Sequence, residues 1–188
     1  RTFYGLITIL ALGYGFDFNW TAPELTMSHI DTLYTHPVGA RVVALTQIKQ
    51  YQLAEEELFT LPVKKNPKMA QAALALAHHH NLAGYAMRFS HAMKNPAGGF
   101  YDIGLFPISN WTKAIPNSDQ AMLNAFIRQE SRFLTNAHNK TGATGLMQIM
   151  PETAAFITKD GSYNTAEGQE KLHTPRVNVK IGAQYLNH

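Results

Sequence analysis

"AFIRQESRFL", Ala125 to Leu134, is the stretch on which the reading of this chain turns. It has good helix formers, no Gly or Pro, and apolar residues returning every three or four positions, so the spacing predicts a helix. At roughly 100° per residue, Met122, Leu123, Phe126, Ile127, Phe133 and Leu134 fall on one stripe. Glu130 sits in its middle, while Arg128 and Arg132 project away. A carboxylate there is ion-paired, lies at the helix edge with its stem over apolar surface, or lines a cleft as a neutral acid. Desolvation raises a carboxyl pKa, and a raised pKa is what a general acid needs near neutral pH.

Composition narrows the setting. With 45% apolar and 15% charged residues, the chain can bury one large or two small cores and has few wide solvated faces. A net charge of +3 suits a polyanionic envelope or substrate. No basic cluster with interleaved aromatics occurs, which argues against nucleic acid. The chain has no cysteine, so disulfides, thiolate metal sites and thiol nucleophiles are excluded. His78 to His80 form a tempting run, but successive helical residues point about 100° apart and cannot chelate one ion together. No metal and no cofactor is expected. "FYGLITILALG" (Phe3 to Gly13) is too short for the ~20 residues of a spanning helix, and a buried helix is expected over a targeting segment. The chain starts at Arg1 without Met and ends in "AQYLNH", which reads as a fragment of a longer protein.

The first ~115 residues read as helical and repetitive. "ALTQIKQYQLAEEEL" overlays "ALALAHHHNLAGYAM", matching Ala44-Leu45 to Ala73-Leu74, Leu53-Ala54 to Leu82-Ala83, and Leu58 to Met87. Small residues and short turns are the marks of stacked helical hairpins, here at an offset a little shorter than the ~34 residues of a tetratricopeptide repeat. Pro62, Pro67 and Pro96 stand where helix ends would fall. "AEEELF" reads as a solvated helix face. "NPAGGFYDIGLFPISNWTKAIPNSDQ" then breaks the pattern with Gly and Pro, placing a boundary between residues 1–115 and 116–188. "NWT" occurs twice and "NKT" once, which formally match glycosylation acceptors.

After the Glu130 helix come a loop, "TNAHNKTGATG", and a second helix in "LMQIMPETAAFITK", with Pro151 in its first turn. A polar loop follows, and "PRVNVKIGAQYLNH" starts another helix. No strand-like alternation of useful length appears, so the fold class is all-α. Gly142 and Gly145 permit tight turns. Gln148 offers an amide, and Met147 and Met150 offer soft apolar surface. An acid, an amide and apolar contacts are the ingredients of a sugar site.

These residues carry a family resemblance. "AFIRQESRFLTNAHNKTGATGLMQIMPETA" resembles the catalytic signature of soluble lytic transglycosylases, enzymes that cleave the glycan of bacterial peptidoglycan. The "ES" pair, "GA-x-GLMQ-x-MP-x-TA" and the later Asn178, Gly182, Tyr185 and Leu186 stand in the family's order across about residues 120 to 188. The resemblance implies a helical-hairpin superhelix followed by a lysozyme-like (goose-type-like) α-helical domain, incomplete at its C-terminus. It implies Glu130 as the single catalytic acid, Ser131 as the Ser beside it, Gln148 as a substrate-contacting amide and Met150 as an apolar wall, with Met147 nearby. Asn139 stands where the family commonly has Ser, and Thr141 offers a hydroxyl close to it. The family's "AYN" motif does not occur in these residues, so the site is expected to be incomplete. Implied partners are peptidoglycan glycan strands, with cell-wall or secretion-machinery proteins as open possibilities, and the implied location is the periplasm.

Most glycosidases use two carboxylates. Glu152, Asp160, Glu167 and Glu170 follow Glu130 without motif context, and Glu152 reads as favourable charge in a helix's first turn. The resemblance implies that Glu130 acts alone, first as acid and then as base, closing a 1,6-anhydro ring on N-acetylmuramic acid. The rival readings are a lysozyme-type hydrolase and a helical-repeat binding module attached to an inactive glycan-binding domain.

Overall fold

The computed structural model describes residues 3–16, 18–64, 66–90, 93, 98–99, 101–116 and 119–187. In chain order the helices are α1 (Phe3–Ala11), α2 (Met27–Tyr34), α3 (Pro37–Gln47), α4 (Tyr51–Phe59), α5 (Pro67–His79) and α6 (Ala83–Ser90). They continue as α7 (Asp102–Leu105), α8 (Asn110–Lys113), α9 (Gln120–Glu130), α10 (Pro151–Thr158), α11 (Ala166–Lys171) and α12 (Pro175–Leu186). The fold is all-α. Among the described residues the only β features are isolated bridges at His138, Thr144 and Ile149.

The repetitive region is two helical hairpins, α3–α4 and α5–α6, with α2 packed on α3 and α5. Each hairpin turns through a left-handed residue, Lys49 (φ 61°) and Asn81 (φ 54°). Those turns lie 32 residues apart. The overlay read from the sequence is therefore displaced by three residues, nearly one helical turn, over which apolar positions almost superimpose. Helix starts follow local chemistry. Asn66 accepts from the Met69 N–H at 3.1 Å with Pro67 in the first turn, and Asp119 accepts from Met122 at 2.9 Å to open α9. Pro96 lies outside the described residues.

Two cores result. Leu33, Val42, Leu58, Leu76 and Tyr85 centre the first; Leu123, Ile127, Leu146, Leu172 and Val179 centre the second. Trp111 and Ile115 pack against the second core, so residues before 116 contribute to it. The cores meet at α6, where Tyr85 serves one and Ala83 the other.

Two expectations are corrected. α1 forms, but Tyr4, Ile7 and Leu10 are exposed rather than buried, and no helix among the described residues is long and apolar enough to cross a membrane. Within "AEEELF", Glu55 is buried rather than solvated. It accepts from the Tyr85 N–H at 3.0 Å, because α4 presents it to the first turn of α6. The polar segment after α10 is also more regular than a loop: Gly161–Asn164 makes a 3-10 turn and α11 follows it. Asp160 and Thr165 supply the capping oxygens.

Candidate active site

α9 positions Glu130. Leu123, Asn124 and Ile127 form its buried face, while Met122, Phe126 and Glu130, spaced four residues apart, run along an exposed line. Glu130 thus lies at the rim of the apolar stripe rather than under it, the helix-edge setting among the three that its position allows. The helix also stops sooner than its residues suggest. Arg132 (φ 53°) and Phe133 (φ 63°) adopt left-handed backbone, and the Ser131 hydroxyl donates back to the Ile127 carbonyl at 3.1 Å. Glu130 is therefore the last residue of its helix, with a sharp reversal behind it.

That reversal is held by packing. Phe133 turns into the second core, and a Cβ placed on Gly84 would stand 3.0 Å from the Phe133 carbonyl. The first turn of α6 is clasped between this carbonyl and Glu55, whose carboxyl burial lifts to about 7 against the lowering effect of the Tyr85 and Gly84 N–H groups. Arg128 does not simply project away: its Nε donates to the Leu105 carbonyl at 3.0 Å and its guanidinium lies 5.0 Å from the Phe106 ring centre. Asn124, unremarked in the sequence, accepts from the Ser109 N–H at 2.9 Å and donates to Thr112 Oγ1 and the Gln120 carbonyl. A buried amide on an apolar helix face was the signal for it.

The chain from Ser131 to Met150 folds back on itself through paired bonds between Thr144 and Ile149. Gly142 and Gly145 have positive φ, 95° and 76°, as the turns demand. At Gly145 a side chain has no room either, since a Cβ would lie 2.5 Å from Asn178 Nδ2. Asn178, fully buried, clamps this turn: its oxygen accepts from the Met147 N–H at 2.8 Å, and its amide donates to the Thr144 carbonyl at 2.7 Å and the Leu172 carbonyl at 3.0 Å.

The residues named from the sequence divide into exposed and structural groups. Glu130, Asn139 and Thr141 are exposed, and Gln148 and Met150 are half-buried. Asn139 shapes its own loop, its Oδ1 accepting from the Thr141 N–H and hydroxyl and the Ala143 N–H. Thr141 accordingly spends its hydroxyl proton inside the loop. Gln148 donates to the Ala137 and Gly145 carbonyls at 3.2 and 3.0 Å, leaving its oxygen as the group able to meet a ligand. Ser131 is buried with its hydroxyl turned to the helix. Met147 is a core residue whose sulfur occupies the space that a Cβ on Gly182 would need. Both are buried, Ser131 at the end of α9 and Met147 in the second core beside α12.

An exposed acid closes a helix and is followed by a glycine-turned loop pinned by a buried asparagine, all behind stacked helical hairpins. Residues 107–188 match the family described as Transglycosylase SLT domain. The soluble lytic murein transglycosylase of Salmonella typhimurium is 39% identical over 69 residues, 37% of this chain and 11% of that protein. Its Escherichia coli counterpart is 38% identical over 76 residues, 40% of this chain and 11% of that protein. The chain thus matches about a tenth of the length of these relatives. The crystal structure of the 70 kDa soluble lytic transglycosylase from Escherichia coli superposes with a TM-score of 0.71 at 23% identity, covering 99% of this chain and 30% of that one. A complex of the 70 kDa soluble lytic transglycosylase with bulgecin A gives a TM-score of 0.73 at 23% identity, covering 99% of this chain and 30% of that one. Motif, domain match and fold together bear out the resemblance to soluble lytic transglycosylases.

Proposed function

We propose that this chain contributes the acid-bearing core of a peptidoglycan lytic transglycosylase that cleaves the β-1,4 bond between N-acetylmuramic acid and N-acetylglucosamine. The observation that carries the reading is Glu130 itself: a lone motif carboxylate, exposed at the end of α9, where the chain enters the loop bearing Gln148 and Met150. Glu130 protonates the glycosidic oxygen, with the substrate's acetamido group assisting at the anomeric carbon. The resulting carboxylate then takes the proton of the muramic acid 6-hydroxyl, whose oxygen closes the 1,6-anhydro ring, and no water is consumed. Residues 116–188 hold this chemistry with Trp111 and Ile115 packed against their core, the hairpin portion precedes them, and the periplasm is the site of action.

Digestion of peptidoglycan in ¹⁸O-water by the full-length protein tests the reading. Newly formed muramic acid ends should carry no heavy oxygen, whereas labelled reducing ends would assign the domain to the hydrolases.

A further inference from the structure

We propose that Trp20 and the pocket beside it form a second glycan-binding platform, separate from the Glu130 site, for the N-acetylated hexosamine chain of peptidoglycan. The choice of glycan rests on the function proposed above.

The two "NWT" triplets, Asn19-Trp20-Thr21 and Asn110-Trp111-Thr112, supply the argument. Trp20 and Asn110 line one pocket of about 610 Å³ together with Phe106, Asn81, His80 and Lys113, and among the described residues none after Lys113 lines it. Trp20 is 54% exposed, yet it is held in place. Its ring centre lies 5.2 Å from that of Phe18 and 6.5 Å from that of Phe106, which itself lies under the Arg128 guanidinium. The preceding residue is locked to α7 by two bonds: the Asn19 N–H donates to Asp102 Oδ2 at 2.7 Å, and the Asp102 N–H donates to the Asn19 carbonyl at 3.0 Å. A large aromatic fixed on both its packing and its backbone, with half its surface left to water, is pre-organised for a flat apolar partner.

The polar groups around it suit the rest of a sugar. Asn81 donates to the Ile108 carbonyl and to Asn110 Oδ1, both at 2.9 Å, and Lys113 Nζ reaches the same oxygen at 3.4 Å. With its oxygen engaged, Asn110 presents its NH₂ as a donor, fit for an acetamido carbonyl. Burial and the neighbouring His79 hold His80 below the ordinary histidine range, so at neutral pH its ring both donates and accepts. Aromatic face, amide donor and neutral imidazole match the C–H face, N-acetyl oxygen and hydroxyls of a hexosamine, and Lys113 favours the anionic substituents such a strand carries.

Two substitutions in the full-length protein test this. Trp20→Ala removes the face; Asn110→Asp keeps an oxygen for Asn81 but exchanges the NH₂ donor for a carboxylate and adds a negative charge beside Lys113, so its binding is also read on an uncharged N-acetylglucosamine oligomer, which that charge does not repel. Binding is measured on purified glycan stripped of its stem peptides, in a Glu130→Gln background so that the ligand survives, and turnover of a short soluble glycan fragment is measured in the parent background. Trp20→Ala should weaken binding about tenfold and Asn110→Asp about fivefold, with short-fragment turnover unchanged. Undiminished binding by both variants would overturn the proposal, as would retention only of glycan that still carries peptides. If Trp20→Ala impairs short-fragment turnover as well, the Asn110→Asp binding result decides alone. Loss of the catalytic reading would show instead as turnover that persists in Glu130→Gln, which leaves these binding differences intact.

Discussion

Asn178 accepts the Met147 N–H at 2.8 Å across 31 residues of chain, and with its two donated bonds it ties α12 to the turn that exposes Gln148. One side chain thus replaces three backbone partners for which water cannot compete, since it is fully buried. Leaving a buried donor or acceptor unpaired costs about 1–3 kcal/mol per group. Asn178→Ala should therefore lower stability by about 3 kcal/mol or more, read as a drop in the urea midpoint. An unchanged midpoint would show that the turn holds without the clamp.

Gly145→Ala probes the same turn from the other side. The residue sits at φ 76°, and an added Cβ would press on Asn178 Nδ2 and on the Leu172 carbonyl at 2.8 Å. Neither can retreat without breaking the clamp. Destabilisation of about 2 kcal/mol or more is expected, with loss of turnover, whereas Gly142→Ala, which meets nothing within 4 Å, should bear only the strain of its φ. Equal effects at the two positions would contradict this account.

Glu55 gives a pH dependence. Its folded-state value of about 7 lies above the ordinary 4.5, mainly because burial disfavours the charged form. Its stability contribution is therefore complete below pH 4.5 and is lost as pH rises through about 7. Glu56 adds to the rise, and His80 and Arg176 share the pocket that Glu55 lines. Glu55→Gln should flatten this part of the stability profile and exceed the parent above pH 7 by on the order of 3 kcal/mol. Parallel profiles from pH 4 to 8 would rule out the shift.

Much of this was legible in the sequence because it is local. The motif around Glu130 is contiguous, the glycines of its loop have the φ that turns require, and hairpin helices announce themselves by period. What escaped was long-range. Nothing in "ESRF" marks a helix end, since Arg132 and Phe133 enter left-handed backbone without Gly or Pro. That conformation is held by Phe133 in the second core and by α6, which the sequence does not bring near. Ser131 and Met147 stand in the same contiguous motif as Glu130 and Gln148, and burial, which separates them from the exposed residues, is set by the fold around the motif rather than by the motif itself. The hairpin register slipped by three residues for the opposite reason: a nearly whole turn leaves the apolar pattern almost unchanged.

The central claim is that Glu130 serves as both acid and base. Glu130→Gln keeps shape and removes the titrating proton. Because the side chain is exposed, stability should change by no more than about 0.5 kcal/mol, while turnover should fall by about 10⁴-fold or more, as one residue fills both roles. Mass spectrometry of fragments released from peptidoglycan by the full-length parent and its Glu130→Gln variant reads this directly. The account expects 1,6-anhydro muramic acid ends from the parent and almost no fragments from the variant. Reducing ends from the parent, or release by the variant within tenfold of it, would contradict it.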